Sequence, residues 1–142
     1  MITVRQAKES DANELLRVAS RFPIESYLHV IGVARLVTDP NVCLLLVYAE
    51  GQAVGYLLAY DRHRHPRFIG LDAAQIEEVM VSEDFRDRRI GRLLMERFED
   101  WARDRQCRVV DVGGAPAAGF YRALGYEQSG IRLQKNLGEH EA

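Results

Sequence analysis

Of 142 residues only two are cysteine, Cys43 and Cys107, and four are proline. Each cysteine lies beside an apolar run and neither falls in a CxxC or Cys/His cluster, which argues against a disulfide framework or a zinc site. There is no large charge excess. A formal net charge of −2 predicts no general attraction to nucleic acid or to a membrane surface. The longest apolar stretches are far too short to span a bilayer. The opening MITVRQAKESD has no apolar h-region, so it does not read as a signal peptide, and a cytoplasmic protein is the expectation. No repeat, low-complexity run or Pro/Gly/Ser linker divides the chain, so residues 1–142 read as one domain. What is present is 47% hydrophobic and 28% charged residues, an ordinary globular balance. A chain of this length buries roughly two-thirds of its unfolded surface, enough for a core without covalent staples.

The pattern of apolar residues predicts the elements. A first strand covers 2–4. Ser10 or Asp11 then caps a helix carrying Leu15, Leu16, Val18 and Ala19, with Glu14 as the capping-box partner of Asp11. Pro23 punctuates, and a second helix is expected over 24–36. The apolar, β-prone runs 42–49 and 53–60, separated by Glu50-Gly51-Gln52, predict a hairpin. Residues 61–72 are polar, contain Pro66 and Gly70, and read as a loop. A strand over 74–81 carries the acidic pair Glu77 and Glu78. Ile90, Leu94, Phe98 and Trp101, joined by Leu93 and Ala102, recur at helical spacing and mark the clearest helix. A short strand over 108–112 ends in Gly113-Gly114. Pro116 opens a helix to about Leu124, with Gly125 at its C-cap, and 131–137 forms the last strand. Hairpins mixed with helices in the order β-α-α-β-β-β-α-β-α-β imply an α+β sheet domain rather than a doubly wound one.

One junction carries an electrostatic anomaly. In VMVSEDFRDRRIGRLL (residues 79–94) a strand ends, a loop follows, and the strongest amphipathic helix begins. Arg86, Arg88, Arg89 and Arg92 crowd that helix start against a single Asp87, although the positive end of a helix favours acidic residues. A bound anion resolves the conflict, because unsatisfied N–H groups and the helix dipole already form an anion site there. Gly91 lets the backbone approach such a ligand. The blander reading is a solvated basic face. A nucleic-acid reading is poorer, since nothing aromatic interleaves with the arginines.

The same stretch resembles the acetyl-CoA signature of the GNAT (Gcn5-related N-acetyltransferase) family, an Arg/Gln-x-x-Gly-x-Gly/Ala run. Arg86 matches its first position and Gly91 its last, while Arg89 replaces the middle glycine. Residues 117–137, AAGFYRALGYEQSGIRLQKNL, resemble the family's closing pattern through Phe120-Tyr121 and Leu124-Gly125-Tyr126, and the opening IxVRxAxxxD is family-like. The asparagine common in relatives some seven residues before the tyrosine is Gly114 here. The resemblance implies a GNAT-like fold over the whole chain and acetyl transfer from acetyl-CoA to an amine. It further implies that Arg86, Asp87, Arg88, Arg89, Ile90, Gly91 and Arg92 hold the CoA pyrophosphate. A backbone N–H near Val79 or Met80, on the strand ending at Val81, is then expected to meet the oxyanion. Dimerisation is common among look-alikes, though no residue here establishes it.

Acetyl transfer to an amine also needs a base and an acid. The resemblance points to Glu77, four residues before Val81, as general base. Period-two geometry places it on the face of Val79 and Val81, opposite Glu78 and Met80. A bulge shifts that parity, so Glu78 stays in reserve, with Asp72 a third choice. The alternative for the pair is one carboxylate in a polar contact and the other in solvent. Tyr121 matches the family tyrosine and is the expected general acid for the leaving thiolate; otherwise it packs on the core with its hydroxyl satisfied. Cys43 and Cys107 read as buried, inert thiols, so transfer is expected to be direct. His63 and His65 border the polar loop, His29 is placed on the acceptor side, and His140 lies in the tail. The rival readings are a catalytically weak acyl-CoA-binding sensor or scaffold, and an arginine cluster that docks an acidic protein. No residue pattern identifies the acceptor.

Overall fold

In the computed structural model, residues 1–21, 25–62, 72–86, 88–113, 123–129 and 132–138 are described. The expected hairpin forms: Val42–Ala49 (β2) pairs antiparallel with Gln52–Asp61 (β3). Glu50 and Gly51 close it, both at positive φ (54° and 77°), the geometry that matches the twist of two strands joined by a two-residue turn. Ile2–Gln6 (β1) adds to the outer side of β2 and Ala73–Val81 (β4) to the inner side of β3, both antiparallel. Val109–Gly113 (β5) then pairs with β4 in parallel. A parallel pair needs a long crossover, which the helix Ile90–Asp104 (α4) supplies.

Beyond β5 the chain forms Glu127–Ser129 (β6) and Arg132–Asn136 (β7), giving the sheet order β1-β2-β3-β4-β5-β7-β6. The short β6 strand differs from the sequence expectation; only the last strand was legible as an apolar run. The helix expected to open at Pro116 lies outside the described residues, except at its end. There Gly125 takes the expected positive φ (94°).

Both faces of the sheet are covered, which is why β2 and β3 read as unbroken apolar runs rather than as alternating ones. One face, carrying Cys43, Leu45, Val47, Leu57, Ala59, Ala74 and Ile76, packs on Ile90, Leu94, Met95, Phe98 and Ala102 of α4. The other face, carrying Leu44, Leu46, Tyr56 and Leu58, packs on Ala12–Ala19 (α1), Tyr27–Val30 (α2) and Val33–Thr38 (α3) through Leu15, Val18, Leu28, Val33 and Leu36. The second helix expected over 24–36 is therefore two short ones. Gly32, at φ 97°, breaks the helical path between them. Ser26 caps α2, its hydroxyl accepting the Leu28 N–H at 3.0 Å.

The start of α1 also departs from expectation. Asp11 occupies the cap position but does not cap forward, and Glu14 pairs with Arg17 at 2.9 Å instead of closing a capping box. The Asp11 carboxylate turns back, accepting the Lys8 N–H at 2.7 Å and a two-pronged Arg5 guanidinium at 2.8 Å and 2.8 Å. This fastens β1 to α1, and the Arg5 hydrogen bonds hold Asp11 below its ordinary value of 3.8. A carboxyl whose folded value is depressed stabilises the fold above its unfolded value, and that contribution is lost as pH falls through the folded one. Asp11→Asn is expected to lose about 1.5–3 kcal/mol of stability at pH 7. Denaturant titrations should show the gap to wild type closing at acid pH, once Asp11 itself is protonated.

Candidate active site

The sheet does not stay closed along β4. That strand pairs with β3 from Ala74 to Val81, but with β5 only over Ala73–Ile76 against Val109–Val112. Past that point β5 keeps β7 as its partner, with Gly113 opposite Arg132. Among the described residues, no strand takes up the β5-facing edge of β4 from Glu77 to Val81. The Ser82 N–H donates to Val54 O of β3 at 2.7 Å, so residue 82, and by alternation Met80, turn their backbone groups toward β3. Val79 and Val81 turn theirs into the gap, where Val81 O accepts Arg86 Nε at 3.3 Å. The Ser82 hydroxyl, just past the end of β4, is buried with no hydrogen-bond partner among the described residues.

From Ser82 the chain makes one 3₁₀ turn, Glu83–Phe85, runs extended through Arg86, and enters α4 at Ile90. Arg89 precedes the helix in the left-handed conformation (φ 61°, ψ 19°). A glycine would hold this position without penalty, whereas a non-glycine residue there costs roughly 1–2 kcal/mol. The loop thus keeps the path that the motif glycine favours although the residue is arginine. The helix start has no side-chain cap and no acidic residue in its first turn. Its N–H groups therefore fit an anion.

The four arginines do not act alike. Arg88 leans on the Phe85 ring (4.9 Å) and pairs with Glu50 at 3.3 Å, and Arg92 pairs with Glu96 one helical turn on at 3.3 Å. Arg86 and Arg89 are exposed and, among the described residues, have no ion-pair partner. Exposed pairs of this kind are weak, so all four arginines stay within reach of the role expected of them. Asp87 lies outside the described residues.

Glu77 and Glu78 are separated by a mechanism that strand periodicity hides. Leu58 stands opposite Glu78 while Ala59 stands opposite Ile76, so Glu77 is the extra residue of a β-bulge. Glu78 faces α2 and is buried. Its Oε1 accepts the Ser26 hydroxyl at 2.6 Å and the Tyr56 hydroxyl at 2.7 Å, and its Oε2 accepts the Tyr27 N–H at 2.7 Å. Glu77, whose side chain is 19% exposed, pairs with Arg62 at 3.6 Å. Arg62 lies across the Tyr60 ring (4.4 Å), and Tyr60 packs against the α1–α3 face. Burial first, then the charge of Glu77, pushes the Tyr60 hydroxyl up to about 12. Glu77 is thus on the α1–α3 side of the sheet with Glu78. This corrects the expectation that it shares a face with Val79 and Val81, which pack on the α4 core. Ser26, Tyr27, Tyr56, Tyr60 and Arg62 around the two carboxylates have no motif; the register of β3 against β4 and the packing of the α2 segment on the sheet gather them.

Asp72, the third carboxylate considered, sits at the opposite end of β4, where its carbonyl accepts the Arg108 N–H at 2.7 Å. Five residues of strand, roughly 16 Å, separate it from Glu77. Cys43 and Cys107 are buried, and desolvation pushes both thiols up to about 12. His29 is exposed on α2, 3.4 Å from the Ser20 hydroxyl. Tyr121, Phe120, Gly114, His63, His65 and His140 lie outside the described residues.

The mixed sheet thus parts between two parallel strands, with the start of the long helix α4 following the end of β4. Residues 9–126 match the model of the acetyltransferase (GNAT) family, and the chain belongs to that family. It is 34% identical over 86 residues to an uncharacterized N-acetyltransferase of Methanocaldococcus jannaschii; the match covers 58% of this chain and 38% of that relative's length. The fold is shared with an aminoglycoside 6'-N-acetyltransferase of Acinetobacter baumannii (TM-score 0.77, 21% identity, 90% of this chain and 92% of that one). It is also shared with the PaiA N-acetyltransferase of Thermoplasma acidophilum, solved in complex with coenzyme A (TM-score 0.72, 14% identity, 96% and 99%).

Arg89→Gly tests the conformation of the loop. Relief of the left-handed strain, roughly 1–2 kcal/mol, outweighs the added chain entropy of glycine, about 0.5–1 kcal/mol. The expected result is a thermal midpoint equal to or a few degrees above wild type. A clear drop would mean that the Arg89 side chain, not the backbone, holds the loop.

Proposed function

We propose that this chain is an acetyl-CoA-dependent N-acetyltransferase that moves an acetyl group directly to a primary amine. The observation that carries the reading is the opening between β4 and β5. Backbone groups of Val79 and Val81 face it, an uncapped helix start with Arg86 and Arg89 lies at one side, and Glu77 stands at the bulge on the other. The family and the coenzyme A bound to the PaiA relative support acetyl-CoA as donor.

In this reading the N–H groups of residues 86–92 hold the pyrophosphate, with Arg86 and Arg89 adding charge. The Val79 N–H points into the gap and donates to the acetyl oxygen as it gains charge, an amide already in place that needs no reorganisation. Glu77 takes the proton of the incoming ammonium, directly or through a water. The amine nitrogen then forms its bond to the carbonyl carbon, the carbon–sulfur bond breaks, Tyr121 gives a proton to the thiolate, and the second proton shed by the nitrogen restores the tyrosine through water. Glu78 is a weaker choice of base because both its oxygens already accept hydrogen bonds from the α2 segment and Tyr56. A covalent cysteine route is disfavoured, since a thiol pushed up to about 12 supplies almost no thiolate at neutral pH. A loop that keeps the glycine-like path despite Arg89 favours transfer over the sensor alternative.

Calorimetric titration with acetyl-CoA is expected to show saturable one-to-one binding, and absence of any binding to acetyl-CoA or CoA sinks the reading. Glu77→Gln should bind acetyl-CoA as wild type does while CoA release with an amine panel falls by a factor on the order of a hundred to ten thousand. Equal loss of binding and turnover would make Glu77 structural. Tyr121→Phe with undiminished kcat would remove the tyrosine from the mechanism without touching the rest.

A further inference from the structure

We propose that Arg62 is a positioning residue that fixes Glu77 across the bulge and holds its carboxylate in the ionised form. The proposal rests on the reading of Glu77 as base and names what controls it. Arg62 follows directly on β3, and its own N–H donates to Ala73 O at 2.8 Å, anchoring its backbone at the base of β4. From there the side chain runs along the face of β4. It lies over the Tyr60 ring at 4.4 Å, donates through Nε to Gln75 Oε1 at 3.0 Å, and places Nη2 3.6 Å from Glu77 Oε1. Residues 73, 75 and 77 are two apart, so one extended arginine serves all three.

Each contact has a separate effect. The ring and the Gln75 amide oxygen hold the guanidinium plane in place, so little side-chain freedom remains to be lost when Glu77 pairs with it. The bulge leaves Glu77 without an ordinary partner position on β3, and Arg62 supplies a fixed point from that same strand. At 3.6 Å the contact is longer than a charge-assisted hydrogen bond of roughly 2.7–2.9 Å. It acts chiefly through charge, in a site only partly open to water, where such attraction is screened less than at the surface.

The charge balance around Glu77 shows why a fixed cation matters. From β4 the neighbouring Glu78 carboxylate repels a second negative charge. From β3 come the Tyr60 hydroxyl and Arg62, from α2 Tyr27, and from β5 Asp111, which stands in register with Gln75. Among these described groups Arg62 is the cation. Partial burial and Glu78 both favour the protonated form of Glu77, and Arg62 opposes them. A base that enters the reaction ionised needs that opposition.

The test is a carboxyl-carbon NMR titration of the full chain labelled at glutamate, with Glu77 assigned by Glu77→Gln. Arg62→Met keeps the length of the arm and its packing on Tyr60 but removes the charge; it is expected to raise the Glu77 midpoint by about one pH unit or more. Arg62→Lys, which keeps the charge, should return most of that shift. A Glu77 midpoint unmoved in Arg62→Met overturns the proposal. So does an equal shift of glutamates remote from β4, which marks a general loosening of the fold. Failure of the base reading is separate: full turnover in Glu77→Gln removes the catalytic purpose of the pair, whatever the titration gives.

Discussion

The site in this chain depends on β4 keeping one neighbour along its whole length and losing the other halfway. Strands lie side by side because each satisfies the other's backbone N–H and C=O groups, and a strand edge without a neighbour must find other partners. Here β3 pairs with β4 to Val81 while β5 follows it only to Ile76. The edge so exposed is not at the rim of the sheet but in its middle, flanked by α4 on one face and by α1–α3 on the other. A ligand seated there meets oriented backbone amides in a partly enclosed setting. Parallel pairing makes this arrangement natural, since the crossover that joins β4 to β5 returns the α4 start to the same end of the strands as the opening.

Around that opening, charge is sorted by local structure rather than by composition. Two adjacent glutamates on one strand do different things because one residue is in register and the other is not. Glu78 fastens the segment before α2 to the sheet through Ser26, Tyr27 and Tyr56. Glu77, displaced by the bulge, is held from β3 by Arg62. The arginines before α4 divide in the same manner. Arg88 and Arg92 have acidic partners nearby, while Arg86 and Arg89 stand exposed at the uncapped helix start. Arg89 accepts a backbone conformation that its side chain disfavours, a sign that the surrounding loop over-determines its path. A second buried network, in which Glu99 of α4 accepts Tyr126 Oη and Lys135 Nζ at 3.0 Å each, ties the C-terminal strands to the same helix.

Most of the scaffold was legible in the sequence. The hairpin of β2 and β3, the strand ending at Val81, and α4 followed from runs and spacings strong enough to outweigh local ambiguity. Short elements were not: Gly32 divides what reads as one helix, and β6 is too brief to leave a periodic trace. Asp11 illustrates a different limit. Its type and position suit a helix cap, yet a bidentate Arg5 from a neighbouring strand competes for the same oxygens and wins.

The amino-acid sequence by itself determined the α+β class, the family, and the strand–loop–helix junction at residues 79–94. These rest on apolar periodicity and local charge, which act over a few residues and survive in any one-dimensional reading. Tertiary structure alone decided which way Glu77 faces, what surrounds it, and which arginines pair with acidic neighbours. Those depend on strand register, and a single extra residue in one strand reverses the face of everything beyond it. No local pattern records that shift, because it arises only when β3 and β4 are laid side by side.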